Sequence, residues 1–400
     1  MTTTASFEPL FPEDRMLEPL VERTEQLIQS SVQLLSARGT PLGAALVPLL
    51  RAMNSYYTNK IEGQHTTPAR IEAALKQDYV ADAAERRKQL LAIAHIETES
   101  ALEEEWGALA VPALFGPARV AKIHQRFFAV LPVEDRFTDE GAPIVPGELR
   151  HQNVTVGRHL APEPDMLQPL LDTWAARYSR IRTIDYQLIG IACSHHRLAW
   201  IHPFLDGNGR VARLHSHLAL HAAGLTHGLW SPLRGFAREH EQYYARLSAA
   251  DQTRRNDLDG RGNLSQEGLV QFAGFFLDCC VDQVSFMTRM TQFDGVVNRL
   301  MDLLRFLEAN PWSIGSEKSV IKPEATGLAM EFVALRRPLT RAGFSQMLGV
   351  SDVQARRIVR SLIDFGLLSS PTHRGELAFA LPLASLRLLF PRLWPEVEQD

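Results

Sequence analysis

Along most of the 400 residues, apolar side chains recur three and four positions apart, the spacing of one face of an α-helix. This pattern predicts helices over residues 17–36, 43–57, 81–106 and 117–131, the first stopping short of Gly39-Thr40-Pro41. Another starts in TTPARIEAAL, where Thr67 is placed to cap and Pro68 to take the first helical position. The periodicity fails across APIVPGELRHQNVTVGRHLAPEPD, where Pro and Gly punctuate an alternating NVTVG segment. A short β-hairpin over residues 147–162 is the expectation there. Helical spacing returns over 166–180, 184–195, the VARLHSHLALHAAGL segment, 239–251 and 265–304.

Beyond Asn310-Pro311 the composition shifts. The segment PLTRAGFSQMLGVSDVQARRIVRSLIDFGLLSS reads as a short helix, a Leu-Gly-Val turn, and a longer helix capped by Ser351 and stopped at Gly366. An extended strand with a turn at Thr372-His373-Arg374-Gly375 comes next. This order resembles a winged helix-turn-helix, with residues 351–365 in the recognition-helix position. The expected division is a helical region over 1–110, a core over 111–295 and the tail module over 296–400. No internal repeat or low-complexity tract interrupts it.

Composition narrows the class. A hydrophobic fraction of 45% and a charged fraction of 22% are ordinary for a globular protein. Three cysteines, two of them the adjacent Cys279 and Cys280, make neither a disulfide framework nor a metal-ligand spacing, so a cytoplasmic location is expected. MTTTASFEPLFPEDR lacks the pattern of a signal peptide, and no run of about 20 apolar residues stands out, so no membrane partner is expected. A net charge of -4 argues against nonspecific nucleic-acid binding by the whole chain. The tail differs locally: Arg336, Arg337, Arg341, Arg356, Arg357 and Arg360 have Asp352 as the only acid among them. DNA, met through residues 351–365, is therefore one candidate partner.

The densest chemistry is HPFLDGNGRVAR, His202 to Arg213. Gly207-Asn208-Gly209 running straight into a helix can point backbone N–H groups at an anion, and the helix N-terminus adds about half a positive charge. Asp206 just before it can hold a divalent cation whose shell phosphate oxygens complete. Arg210 and Arg213, three apart, share a helix face and can clamp phosphate charge. His202 is left to act as a general base. Base, cation ligand, anion cradle and clamps are the parts of a phosphoryl- or nucleotidyl-transfer site. A lone Gly-Asn-Gly is usually a plain turn; the combination at these spacings is not.

The same stretch agrees with HPFxDGNGRxxR, the core motif of the Fic family, at every specified position, and the chain resembles that family over residues 10–290. The resemblance implies an all-α Fic fold with a short β-hairpin flap, a winged-helix tail and a homodimer. It also implies Mg²⁺ and ATP, with AMP transferred to a hydroxyl side chain of a target protein or of the chain itself and pyrophosphate released. By the same resemblance His202 deprotonates the acceptor and Asp206 holds the Mg²⁺. Gly207, Asn208 and Gly209 cradle phosphates, Arg210 meets the β-phosphate and Arg213 the γ-phosphate, with Val211 and Ala212 in the same nucleotide-binding stretch. Phe204 is expected as a buried anchor. A kinase-like branch carries Ala and Lys where this chain has Gly207 and Arg210, so AMP transfer is favoured over phosphorylation.

Three further segments fit the resemblance. Val156, Gly157, Arg158 and His159 match flap positions bordering the nucleotide, on a hairpin suited to clamp a target peptide by strand addition. REHEQYYARLSAAD matches the helix lining the adenine pocket, with Tyr243 expected as the contact and Tyr244 in the core; Asp251 falls where some relatives have Asn. His215, His217 and His221 have no evident carboxylate beside them and are expected as solvated or core residues. TNKIEGQ matches the inhibitory pattern [ST]xxxE[GN] at Thr58, Glu62 and Gly63. Glu62 paired with Arg213 would take the charge meant for the γ-phosphate and spoil the in-line pose. It could also orient water for the reverse removal of AMP. The expected function is an autoinhibited protein adenylyltransferase. The alternative is a DNA-binding regulator that senses nucleotide.

Overall fold

The computed structural model describes residues 2–138, 140–157, 159–314 and 320–398. Its helices, in chain order, begin with α1 (Glu18–Gln33), α2 (Leu35–Arg38), α3 (Pro41–Ile61), α4 (Pro68–Leu75), α5 (Ala83–Trp106) and α6 (Pro117–Val130). Strands β1 (Thr155–Val156) and β2 (His159–Leu160) follow, then α7 (Leu167–Tyr178), α8 (Ile184–Ile201), α9 (Asn208–Ala222), α10 (Leu233–Arg238) and α11 (His240–Ala250). After these come α12 (Gln266–Thr291), α13 (Phe293–Ala309), α14 (Pro323–Leu335), α15 (Arg341–Leu348), α16 (Asp352–Phe365), β3 (Leu368–Ser369), β4 (Ala378–Phe379) and α17 (Leu386–Leu389). The fold is all-α, with a small β flap.

The chain packs as two compact units, one of Met1–Val32, Arg51–Thr66 and Arg70–Ser285, the other of Gln33–Leu50, Thr67–Ala69 and Phe286–Asp400. In the first, α8 lies against α7 and α9, and α5 against α6 and α9. Ile189, Ile191 and Ala192 of α8 and Leu214 and Leu218 of α9 are buried in this packing. The loop between α8 and α9 is therefore slung between two rigid, apolar-backed helices.

In the second unit, α15 is capped by Thr340, whose side chain accepts from the Gly343 N–H, and Gly349 at φ 61° makes the turn. Ser351 then caps α16 through the Gln354 N–H, and Gly366 at φ 90° ends it. Those residues are the ones the sequence marks for the purpose. Strands β3 and β4 pair antiparallel, Leu368 opposite Phe379.

Some elements differ from expectation. The helix expected over 265–304 is two, because Gln292 takes ψ 128° and leaves the helical region. Apolar periodicity runs on across such a bend and cannot show it. Helix α14 carries no clear stripe, being buried at Pro323, Thr326, Gly327, Ala329, Met330, Val333 and Ala334. The 26-residue α12 is long and apolar enough to cross a membrane by length and composition, a run the sequence reading passed over. Its Leu269, Phe272, Ala273, Phe276 and Leu277 are fully buried, as in a core helix.

Candidate active site

The site is built on the α8–α9 loop. His202 ends α8 in the left-handed region, φ 51°, a conformation a non-glycine residue holds only when its surroundings enforce it. Phe204 is fully buried, as expected for an anchor, and stacks on His124 with centroids 4.0 Å apart. His124 accepts from the Gly147 N–H through Nδ1 at 2.8 Å, which leaves Nε2, 3.3 Å from the Asp206 carbonyl, to donate there. Gly207 sits at φ 78°, and any Cβ on it would strike the Phe128 ring. Glycine is required here twice over.

The Asn208 side chain has a structural role beside the backbone phosphate contact expected of it. Its Oδ1 accepts from the Phe204 N–H and its Nδ2 donates to the Phe204 carbonyl, both at 2.8 Å, so the side chain locks the loop. Asn208→Ala strands both buried backbone groups and should destabilise the fold by about 1–3 kcal/mol. Urea denaturation would show the loss, and an unchanged midpoint would refute the lock.

A residue the sequence reading missed ties the flap to this loop. Buried Arg150 donates from Nε to the His202 carbonyl at 2.8 Å, from Nη1 to Gln152 O at 2.8 Å and from Nη2 to Pro162 O at 2.5 Å. One arginine in a Pro/Gly-punctuated segment looks like a solvated loop charge, so the sequence carried no signal for it. The flap itself is a minimal hairpin, with Thr155 opposite Leu160 and Val156 opposite His159. Leu160 is 70% exposed, and His159 turns Nε2 onto the Trp200 carbonyl at 2.8 Å. Arg158 lies outside the described residues.

Helix α3 brings the second motif to the loop. The Gly63 N–H bonds to Lys60 O and the Gln64 N–H to Asn59 O, with Gly63 at φ 70°, which is a Schellman ending. This turn places Glu62 at the helix cap, where its Oε1 accepts from Arg213 Nη2 at 2.5 Å. Arg213 Nε also donates to Thr58 Oγ1 at 2.9 Å, and Nη2 to Thr58 O at 3.2 Å. Thr58, Glu62 and Gly63 thus act together on one guanidinium. The Glu62 carboxylate also fills the space against Gly209, where an added Cβ would collide with it. Burial alone would raise the Glu62 carboxyl, but Arg213 and Arg210 outweigh it and hold the group below its ordinary value.

Arg210 is engaged as well. It donates to Gln64 Oε1 at 3.0 Å and to both Asp206 carboxylate oxygens at 3.3 Å. Gln64 is a second missed residue, one position beyond the motif that was read. Asp206 is the only carboxylate of the loop, partly exposed and bonded to the Gly207 N–H. A hard oxygen ligand at a helix start fits Mg²⁺, with Arg210 as the group it would displace.

A cavity of 590 Å³ opens beside the loop. Of the expected site residues, Glu62, Val156, Gly157, His159, His202, Gly209, Arg213 and Tyr243 line it. Asp206, Gly207, Asn208, Arg210, Val211 and Ala212 do not; Val211 and Ala212 are buried within α9, and the Val211 N–H donates to the Gly207 carbonyl. Of the two tyrosines, Tyr243 lines the cavity while buried, and Tyr244, expected in the core, lines it as well and is exposed. Tyr243 is 2% exposed and stacks on Phe236 at 5.0 Å, whereas Tyr244 is 42% exposed and reaches Ile61 O at 3.4 Å. Burial, with Arg150 nearby, lowers the His202 pKa to about 4, so its imidazole is neutral at pH 7.

His215 and His217 of α9 are core residues, as expected, but carboxylates do stand beside His217 and His221. They come from α5, which sequence spacing on α9 could not reveal: His217 Nε2 lies 2.8 Å from Glu103 Oε1. His215 is a core residue bonded to Leu114 O.

Residues 115–220, which hold the loop, the flap and α6 to α9, match the model described as Fic/DOC family. Over that stretch the chain is similar to the Fic/DOC family. The protein adenylyltransferase Fic of Drosophila erecta is 31% identical over 138 residues, 33% of this chain and 26% of that relative. Its counterpart in Drosophila melanogaster is 31% identical over the same shares. The chain thus matches about a quarter of these relatives' length. A Fic family protein from Desulfovibrio desulfuricans G20 superposes with a TM-score of 0.53 at 16% identity, covering 94% of this chain and 99% of that one. A Fic domain containing signaling protein from Bacteroides thetaiotaomicron VPI-5482 gives 0.50 at 16% identity, over 67% and 96%. These two show that the fold is the Fic fold, beyond the matched domain.

Proposed function

We propose that this protein is an adenylyltransferase that moves AMP from ATP to a protein hydroxyl and is held back by its own inhibitory turn. The observation that carries the reading is the Glu62 carboxylate on Arg213, set in the wall of the cavity that His202 also lines. A neutral imidazole at the cavity wall can take the proton of an incoming Ser, Thr or Tyr hydroxyl. The hydroxyl oxygen then bonds to the α-phosphorus, the bond to the bridging oxygen breaks, and pyrophosphate leaves. Arg213, once free of Glu62, and Arg210, once free of Asp206, supply charge for the departing phosphates. Mg²⁺ held by Asp206 would neutralise phosphate charge. The adenylyltransferase activity for which the Drosophila relatives are named supports ATP as the substrate.

The exposed, two-residue strands of the flap suit a target peptide added edge-on, with main-chain bonds giving affinity. The partly exposed Glu62 is also placed to orient water for the reverse removal of AMP. A second reading, DNA binding by the tail, is supported by the exposed Arg356, Arg357 and Arg360 of α16; salt-dependent duplex binding is its test.

With ATP labelled at the α-phosphate, the Glu62→Gly protein should retain label, and its rate should stay flat between about pH 5 and pH 8. The sign follows from the lowered His202 pKa: the base is neutral above about 4 and is lost only as the pH falls through that value. Absence of α-label at every pH, or retention of γ-label instead, overturns the reading.

A further inference from the structure

Behind the inhibitory helix lies a buried polar cluster that the transfer site does not use. Glu99 and Glu103 of α5 and His217 of α9 each offer one ligand atom, and all three atoms lie within 4.8 Å of one another. His217 Nε2 is 2.8 Å from Glu103 Oε1 and 3.5 Å from Glu99 Oε1. Its Nδ1 is 3.1 Å from Ser231 Oγ, the outer hydrogen bond that fixes a ligating imidazole with Nε2 inward. His95 is fully buried, and neither of its ring nitrogens has a hydrogen-bond partner among the described residues; Nδ1 points at Glu99 Oε2, 3.4 Å away. Glu99 Oε2 and Asn54 Oδ1 are unpartnered too. Buried polar atoms are nearly always hydrogen-bonded, and so many left without such a bond in one place point to a missing ligand.

We propose that Glu99, Glu103 and His217 form a buried site for one divalent transition-metal ion of the Zn²⁺ class, with the fourth position left to water on the side of His95. Two carboxylates and an imidazole are a zinc-type donor set, bonded at about 2.0–2.2 Å, and give too few oxygens for Ca²⁺ or Mg²⁺. Arg51 of α3 holds Glu103 Oε2 at 2.6 Å, which leaves Oε1 for the ion, and Asn54 Nδ2 holds Glu99 Oε1 at 2.9 Å. His221 Nδ1 stands 3.5 Å from Glu103 Oε1 on the outer side. Arg51 and Asn54 precede Thr58 and Glu62 on the same helix, so the ion braces the inhibitory segment from behind. This site is separate from Asp206 and does not depend on the transfer reading.

The test uses the full chain, stripped with a chelator, re-exposed to Zn²⁺ and counted by plasma mass spectrometry. Wild type and Asp206→Ala should each take up roughly one ion per chain, while Glu99→Gln and His217→Gln, with native circular dichroism, take up none. No uptake by wild type, or full uptake by both folded variants, overturns the site. Where those variants fail to fold, X-ray absorption at the zinc edge of the wild type decides. Nitrogen and oxygen donors including imidazole support the site, and sulfur donors or an all-water shell overturn it.

Discussion

Glu62→Gly should raise transfer of label from Mg-ATP by about 10²-fold over the wild type. The size follows from what the carboxylate does: misplacing the reacting phosphate by about an ångström costs on that order. With Glu62 present, Arg213 has its hydrogen bonds made to Glu62 and Thr58, and the space against Gly209 is filled by a carboxylate. Removing that one side chain frees the guanidinium and clears the anion cradle together. The helix should survive the change, because glycine is tolerated at a cap position and the Gly63 turn that ends α3 is left intact. Rates within twofold of each other in wild type and variant would sink the inhibitory role.

His202→Ala, made in the Glu62→Gly background, should lower transfer by about 10²–10⁴-fold, the usual worth of a general base. ATP binding measured by calorimetry should stay near that of the parent, since the imidazole meets the acceptor hydroxyl rather than the phosphates. The backbone at this position has φ 51°, which alanine adopts poorly and asparagine well. His202→Asn is therefore the companion variant, and it should lose transfer equally with the loop geometry kept. Label retained by both variants would remove His202 from the mechanism.

Much of this site was legible because its chemistry is local in the chain. The loop from His202 to Arg213 holds base, carboxylate, glycines and arginines in twelve consecutive positions, and the Schellman turn at Gly63 follows from helix-ending rules. What stayed hidden depends on partners far away in sequence. Arg150, Gln64 and His124 act through backbone groups or through arginines that only the fold brings near. The exposure of Tyr244 has the same origin: adjacent positions on a helix point about 100° apart, and Tyr243 is the one that packs on Phe236. The carboxylates around His217 come from α5, more than a hundred positions earlier in the chain, so spacing on α9 alone suggested none. The lock that the Asn208 amide puts on the loop was hidden likewise, since its place in the motif speaks only for its backbone N–H.

The most direct test of an autoinhibited adenylyltransferase is the intact mass of the Glu62→Gly protein after incubation with Mg-ATP, beside wild type treated alike. The variant should gain the mass of one or more adenylyl groups while the wild type stays largely unmodified. An increment of a phosphoryl group, or equal modification of the two proteins, would contradict the account.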